Sequence, residues 1–207
     1  MRTPAGRPAR GAELLLFGGN FFRHPRMLGS IVPSSRFLVR RVLHPIEWER
    51  ARVVVEYGPG VGTMTGHMLA RMRGDAMLIV FETNPAFVRY LRRAFPDPRL
   101  HLVEGSAVSA PEVVRTLGAE RADYIVSGIP YSTIPSAVRE QILRGSHDLL
   151  DPHGRFIVYQ FTRAVLPDLR RIFGTVEEGF EPRNVLPARL FSCKANGRSE
   201  KVPALAS

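Results

Sequence analysis

The sequence predicts an α/β protein built on a seven-stranded, mostly parallel sheet with helices on both faces and an antiparallel final hairpin. Three observations predict it. From Val53 onward, strand candidates alternate with segments of helical periodicity, the rhythm of a parallel sheet covered on both sides. The last two strand candidates follow one another with no helix between them, so they pair as a hairpin at the sheet edge. The segment VVVEYGPGVGTMTGHML, Val53 to Leu69, passes from strand through a glycine turn into helix and sets the first repeating unit.

The elements follow in order. Residues 1–12, rich in Pro, Gly, Arg and Ala, read as a disordered arm. Residues 13–47 read as amphipathic helices. Leu14, Phe17, Phe21 and Phe22 give the first a one-sided spacing that Pro25 ends. After a turn at GSIVP, the stretch SSRFLVRRVLHPI forms a second helix capped by Ser34 or Ser35, with Leu38, Val39, Val42, Leu43 and Ile46 on one face. The main domain spans 48–195. Its strands lie near 52–57, 76–82, 100–104, 122–127, 154–161, 175–180 and 187–194, and its helices near 61–73, 84–94, 110–117, 134–149 and 163–172. Residues 196–207 are a flexible tail.

Bulk properties narrow the class. A chain of 207 residues holds one full α/β domain but not two of ordinary size, and 44% hydrophobic residues suffice for a core. No apolar run reaches the roughly 18 residues of a membrane-spanning helix, and the N-terminus does not read as a cleaved signal peptide. The single cysteine, Cys193, excludes an internal disulfide and a cysteine-based metal site. The net charge of +10 is uneven, because residues 1–52 carry ten Arg against three Glu. Such a surface favours phosphate-bearing partners, either nucleic acid or an anionic membrane.

The candidate site residues fall at the carboxyl ends of the strands, where an open parallel sheet binds its ligand. Gly58, Gly60 and Gly62 form a loop that departs from the dinucleotide fingerprint G-x-G-x-x-G, and Glu56 beside it suits a cationic ligand end. Glu82 ends the second strand, where a carboxylate accepts both hydroxyls of an unmodified ribose. Thr83 next to it and Ser35 in the N-terminal segment complete the candidate cofactor contacts. Ser106 and Ala107 follow the third strand, at the place for an adenine ring, and YIVSGIPYSTIP closes the fourth.

This set resembles the class I S-adenosylmethionine-dependent methyltransferases, a Rossmann-like fold. NFFRHPRMLGSIVPSSRFLVRRVL, VVVEYGPGVGTMT, SGIPYSTIP and PRNVLPARLFSC together resemble bacterial phospholipid N-methyltransferases over residues 19–194. The resemblance implies stepwise N-methylation of phosphatidylethanolamine towards phosphatidylcholine, with S-adenosylmethionine as cofactor and no metal. It places the three glycines against the methionine part of the cofactor, Glu56 near its amino group, Glu82 on the ribose and Ser106 with Ala107 at the adenine. Many relatives carry Asp where Ser106 stands.

Methyl transfer needs a neutral amine, aimed and shielded from water. Ser127 and the carbonyls of Gly128 and Ile129 are the candidate amine acceptors, and Pro130 holds the turn open. The ring of Tyr131 offers a cation–π face to the developing ammonium. No general base or metal site is evident. The P-Y ending also resembles the N-L-P-Y of rRNA adenine dimethyltransferases, with Ser127 read in the Asn position, and rRNA adenine N6-dimethylation is the rival function. The clustering of Phe and Leu with Arg before residue 45 instead favours an anionic phospholipid membrane, with no nucleic acid and no obligate protein partner expected. Phe21, Phe22 and Arg23 are the candidate membrane contacts, and Arg183 and Arg189 the candidate ligands of a lipid phosphate. The expected location is cytoplasmic, peripheral on the inner membrane face.

Overall fold

The structure, a computed structural model, describes residues 34–195. The arm, the first amphipathic helix with Phe21, Phe22 and Arg23, and the tail lie outside the described residues. Seven strands form one sheet in the order β3-β2-β1-β4-β5-β7-β6. They are β1 (Val53–Tyr57), β2 (Met77–Glu82), β3 (Leu100–Glu104), β4 (Ala122–Ser127), β5 (Leu150–Gln160), β6 (Thr175–Glu181) and β7 (Ala188–Lys194). The first five run parallel, whereas β7 is antiparallel to both β5 and β6. The expected hairpin is present, and it docks through its second strand, so β6 becomes the edge.

Helix α1 (Arg36–Leu43) starts where the side chain of Ser35 accepts a hydrogen bond from the Leu38 amide. Its buried residues Leu38, Val39, Val42 and Leu43 share a cluster with Met64, Met68, Val54, Leu78 and Val80. Each such side chain contributes roughly 1.5–3 kcal/mol on full burial, so α1 is held as part of the sheet's cover. Helix α2 (Thr63–Leu69) packs on the same face, while α4 (Ala110–Thr116), α5 (Ser136–Leu149) and α6 (Leu166–Ile172) cover the other. Successive strand residues alternate between the two layers: Val54, Leu78 and Val126 face α1, and Val55, Ile79 and Ile125 face α5. Helix α3 (Pro85–Ala94) begins with the side chain of Asn84 capping the Ala86 amide.

β5 begins earlier than the sequence indicates. Pro152 and Gly154 read as a breaker, but the ladder absorbs them through a register shift opposite Ala122 and Tyr124. Among the described residues, no helix is long and apolar enough to cross a membrane.

Gly62 has two reasons to be glycine. Its φ of 78° lies in the left-handed region, and a Cβ there would sit 2.5 Å from Phe95 and 2.6 Å from Leu91. The missing side chain lets α2 start tight against the end of α3. Gly62→Ala is therefore expected to destabilise the fold by roughly 1–3 kcal/mol, read from the denaturant midpoint. An unchanged midpoint would contradict this packing role.

Candidate active site

The strand order reverses between β1 and β4, so their carboxyl ends open a crevice at the switch point. Three main-chain bonds align its rim. The Gly58 amide donates to the Phe81 carbonyl at 3.0 Å, the Gly105 amide to Glu82 at 3.0 Å and the Gly128 amide to Tyr57 at 2.9 Å. Each turn thus leaves its strand locked to a neighbour. Gly58 and Gly60 have φ of 69° and 56°, a conformation that glycine adopts without strain. Gly62 belongs to the same loop, but the space beside it is filled by Phe95 and Leu91 and not left for a ligand.

Glu56, the penultimate residue of β1, has 1% of its surface exposed. Its Oε2 accepts from Thr65 Oγ1 at 2.6 Å, while Oε1 has no partner among the described residues. Burial pushes its pKa up to about 8, offset in part by the Thr65 hydrogen bond and raised slightly further by nearby Glu82. Glu82 is also buried, and burial raises its pKa. Its carboxylate already clamps the rim: Oε1 accepts from the Asn84 amide at 2.8 Å and Oε2 from the Gly60 amide at 3.3 Å. The Thr83 amide also bonds this carboxylate, and with about four lone-pair sites it keeps some acceptor capacity. Glu82 therefore shapes the glycine loop as well as facing the crevice end of β2, a double duty invisible in the sequence.

The flanking candidates differ in availability. Thr83 is exposed beside Glu82. Ser106 is exposed and caps the short turn Ala107–Ser109, its hydroxyl accepting from Val108, and Ala107 is buried beneath it. Ser35 is committed elsewhere. Its side chain caps α1 and its amide donates to Asn184 Oδ1 at 2.8 Å, tying α1 to the β6–β7 turn.

The end of β4 corrects several expectations. Tyr131 is fully buried in the core beside Tyr57 and Ile125, its hydroxyl 3.0 Å from that of the equally buried Ser127. The short turn Tyr131–Thr133, begun by the Tyr131 amide donating to Ile129, folds the ring inward. Neither the ring nor the Ser127 hydroxyl is presented to a substrate. The Ile129 carbonyl is also occupied, accepting from the Tyr131 amide at 2.9 Å and from Gln160 Nε2 at 2.5 Å. Counted back from Pro130 and Tyr131, the Asn position of N-L-P-Y falls on Gly128 and not on Ser127.

A cavity of about 150 Å³ adjoins this turn, lined by Gly128, Ile129, Pro130, Thr133, Tyr159 and Gln160. Tyr159 and Gln160 were not legible as site residues, because they end a strand with no motif around them. A Cβ on Gly128 would overlap the Tyr159 hydroxyl, so that hydroxyl occupies the place where a side chain at 128 would begin. Burial raises the Tyr159 pKa, and the nearby Glu56 carboxylate raises it further. Arg183 is exposed and paired with Glu181, and Arg189 lies over the Phe180 ring at 5.2 Å. Among the described residues, no group of three or more His, Cys, Asp or Glu could hold a metal.

The Glu56 geometry fixes a pH dependence. Its folded pKa of about 8 exceeds the ordinary 4.5, so the folded state retains the proton longer than the unfolded chain. The destabilisation is absent below the ordinary value, grows as pH rises and is complete above about 8. Glu56→Gln is expected to stabilise the protein by on the order of 3–5 kcal/mol above that pH, with the gain vanishing in mild acid. Thermal melts across pH check this, and a gain independent of pH would contradict it.

Comparison with known proteins gives the site its context. No family model matches the sequence. The chain is 35% identical over 184 residues to the ornithine lipid N-methyltransferase of Singulisphaera acidiphila, covering 88% of this chain and 96% of that protein. It is 30% identical over 116 residues to the ribosomal RNA small subunit methyltransferase A of Aromatoleum aromaticum, covering 56% of this chain but 37% of that protein. Among solved structures, the fold is similar to a Burkholderia thailandensis 1,6-didemethyltoxoflavin-N1-methyltransferase with bound S-adenosylhomocysteine. The TM-score is 0.60 at 17% identity, over 95% of this chain and 94% of that one. A precorrin-6y C5,15-methyltransferase from Geobacter metallireducens gives 0.60 at 15% identity, over 77% and 88%. Glycine loop, β2 carboxylate and β4 turn are thus set on a sheet with the fold of the S-adenosylmethionine-dependent methyltransferases, and the chain belongs to the family of the ornithine lipid N-methyltransferase.

Proposed function

We propose that the protein methylates the primary amine of a membrane lipid headgroup. The observation that carries this reading is the 35% identity to a lipid N-methyltransferase across 96% of that protein's length. Phosphatidylethanolamine, implied by the sequence motifs, and an ornithine lipid, named in the relative, both end in a primary amine. The buried residues fit the cofactor. Glu56 Oε1, unpartnered and enclosed at the end of β1, suits a cationic amino group, and Glu82 retains acceptor capacity for a ribose diol. When bound, S-adenosylmethionine supplies a methyl carbon on a sulfonium, which accepts the amine lone pair as the carbon–sulfur bond breaks.

The protein's own share is positioning and exclusion of water. The amine must lose a proton before attack, and the methylated product carries the positive charge. With Ser127, Tyr131 and the Ile129 carbonyl committed to one another, to the turn and to Gln160, the acceptors beside the cavity that can aim the amine include the Gly128 carbonyl, the Tyr159 hydroxyl and the Gln160 amide oxygen. Gln160 Nε2 is spent on Ile129, which orients the amide and leaves its oxygen as acceptor. Tyr159→Phe is expected to lower methyl transfer by about 10–100-fold, the loss of about 1.4–2.7 kcal/mol of aiming, while leaving S-adenosylhomocysteine affinity unchanged. Undiminished turnover would remove the hydroxyl from the site.

The function itself is tested with labelled S-adenosylmethionine and purified protein, offered phosphatidylethanolamine vesicles, ornithine lipid vesicles and 16S ribosomal RNA side by side. Label in one or both lipids is expected. Label in RNA alone would establish the rival reading that the shorter match to the ribosomal RNA enzyme represents.

A further inference from the structure

Four large apolar side chains are exposed at one end of the sheet. Phe161 follows β5, Phe180 ends β6, and Val185 and Leu186 form the β6–β7 turn, with 41%, 44%, 72% and 39% of their surfaces exposed. The strand register puts them together. Gln160 on β5 pairs with Arg189 on β7, and Arg189 pairs with Phe180 on β6, so one row crosses three strands beneath the turn. This is the carboxyl end of β5, where the cavity beside Gly128 and Ile129 opens, and Phe161 and Asn184 contribute to its wall.

The patch is built, not frayed. Asn184 donates from Nδ2 to the Leu186 carbonyl at 3.0 Å and accepts from the Ser35 amide at 2.8 Å, so the turn is shaped internally and fastened to α1. Phe37 at the start of α1 lies between two guanidinium groups, with Arg183 at 4.2 Å and Arg36 at 4.8 Å from its ring centroid, and Arg189 covers Phe180. Arg183 is balanced by Glu181, whereas Arg36 and Arg189 have no carboxylate partner among the described residues. Exposed apolar tips with guanidinium groups stacked on aromatic rings behind them match the profile of a bilayer interface, where apolar groups enter the acyl boundary and cations remain at phosphate depth.

We infer that the β6–β7 turn and the end of β5 form a membrane-docking surface that seats the mouth of the cavity on an anionic lipid bilayer. The inference rests on the reading of the acceptor as a lipid. An amine fixed to acyl chains can reach Gly128 only if the cavity mouth meets the bilayer, and this patch borders that mouth. Val185 and Leu186 insert, and Arg36, Arg183 and Arg189 meet phosphates. Val185 and Leu186 are not among the membrane contacts expected from the sequence.

The test uses the full chain carrying Val185→Asp with Leu186→Asp and, as a milder pair, Val185→Ser with Leu186→Ser. Sedimentation with phosphatidylglycerol–phosphatidylethanolamine vesicles is read beside S-adenosylhomocysteine affinity and transfer to a short-chain monomeric acceptor lipid. The expected result is at least tenfold weaker vesicle binding by the Asp pair and an intermediate loss by the Ser pair, with the other two readouts unchanged. Vesicle binding within twofold of the parent would overturn the inference and leave the patch to residues 1–33 or a protein partner. A parallel loss of monomeric-acceptor transfer would also overturn it, by placing the turn in the substrate pocket. Vesicle binding is read without turnover, so a protein that binds through this turn but labels no lipid would refute the acceptor and keep the surface.

Discussion

A carboxylate enclosed near the end of β1, with one oxygen lacking a partner among the described residues, governs this structure. Glu56 sits where strand order reverses, under a loop whose glycines bring main chain close, and burial lifts its pKa to about 8. A protein selected for stability alone would place an apolar residue or a fully paired one there. The cost makes sense if the vacant lone pairs meet a ligand cation, because the charge that burial penalises is the charge that binding needs. Glu82 extends the same logic along the rim. It accepts from the Gly60 and Asn84 amides and so presets the loop that Glu56 underlies.

The acceptor side follows from a second constraint, the contact between β4 and β5. Gly128 has no room for a side chain because Tyr159 occupies it, and Ile129 offers no free carbonyl because Gln160 holds it. The Ser127 and Tyr131 hydroxyls are thus turned inward, and the cavity is lined by the rest of the β4 turn together with Tyr159 and Gln160 of β5. Sequence motifs centred on the P-Y ending point to this turn, but the Tyr131 and Ser127 side chains they single out are buried and bonded to each other.

The contrast shows what a sequence can carry. Strand positions were legible because β-branched runs stand out between helical periods, and β1 and β2 fall where those runs lie. The start of β5 was not, since Pro152 and Gly154 signal a break that the ladder tolerates as a bulge. Glycine conformation was legible at Gly58 and Gly60, but the reason for Gly62 lies in Phe95, some thirty residues away in sequence. Tyr131 looked like a substrate contact because sequence gives adjacency and not direction. Only the turn after Pro130 decides that its ring points into the core. Tyr159 and Gln160 had no signal at all, because nothing local distinguishes a strand end that lines a cavity from one that does not.

On the proposed function the molecule is a one-sided device: a donor crevice over β1 and β2, an acceptor cavity over β4 and β5, and an apolar, cationic edge where the sheet ends. The most direct test of its central feature is a crystal structure with S-adenosylhomocysteine. The account predicts the ligand's amino group within hydrogen-bond distance of Glu56 Oε1 and its ribose hydroxyls on Glu82. A ligand bound elsewhere, with Glu56 still unpartnered, would contradict it.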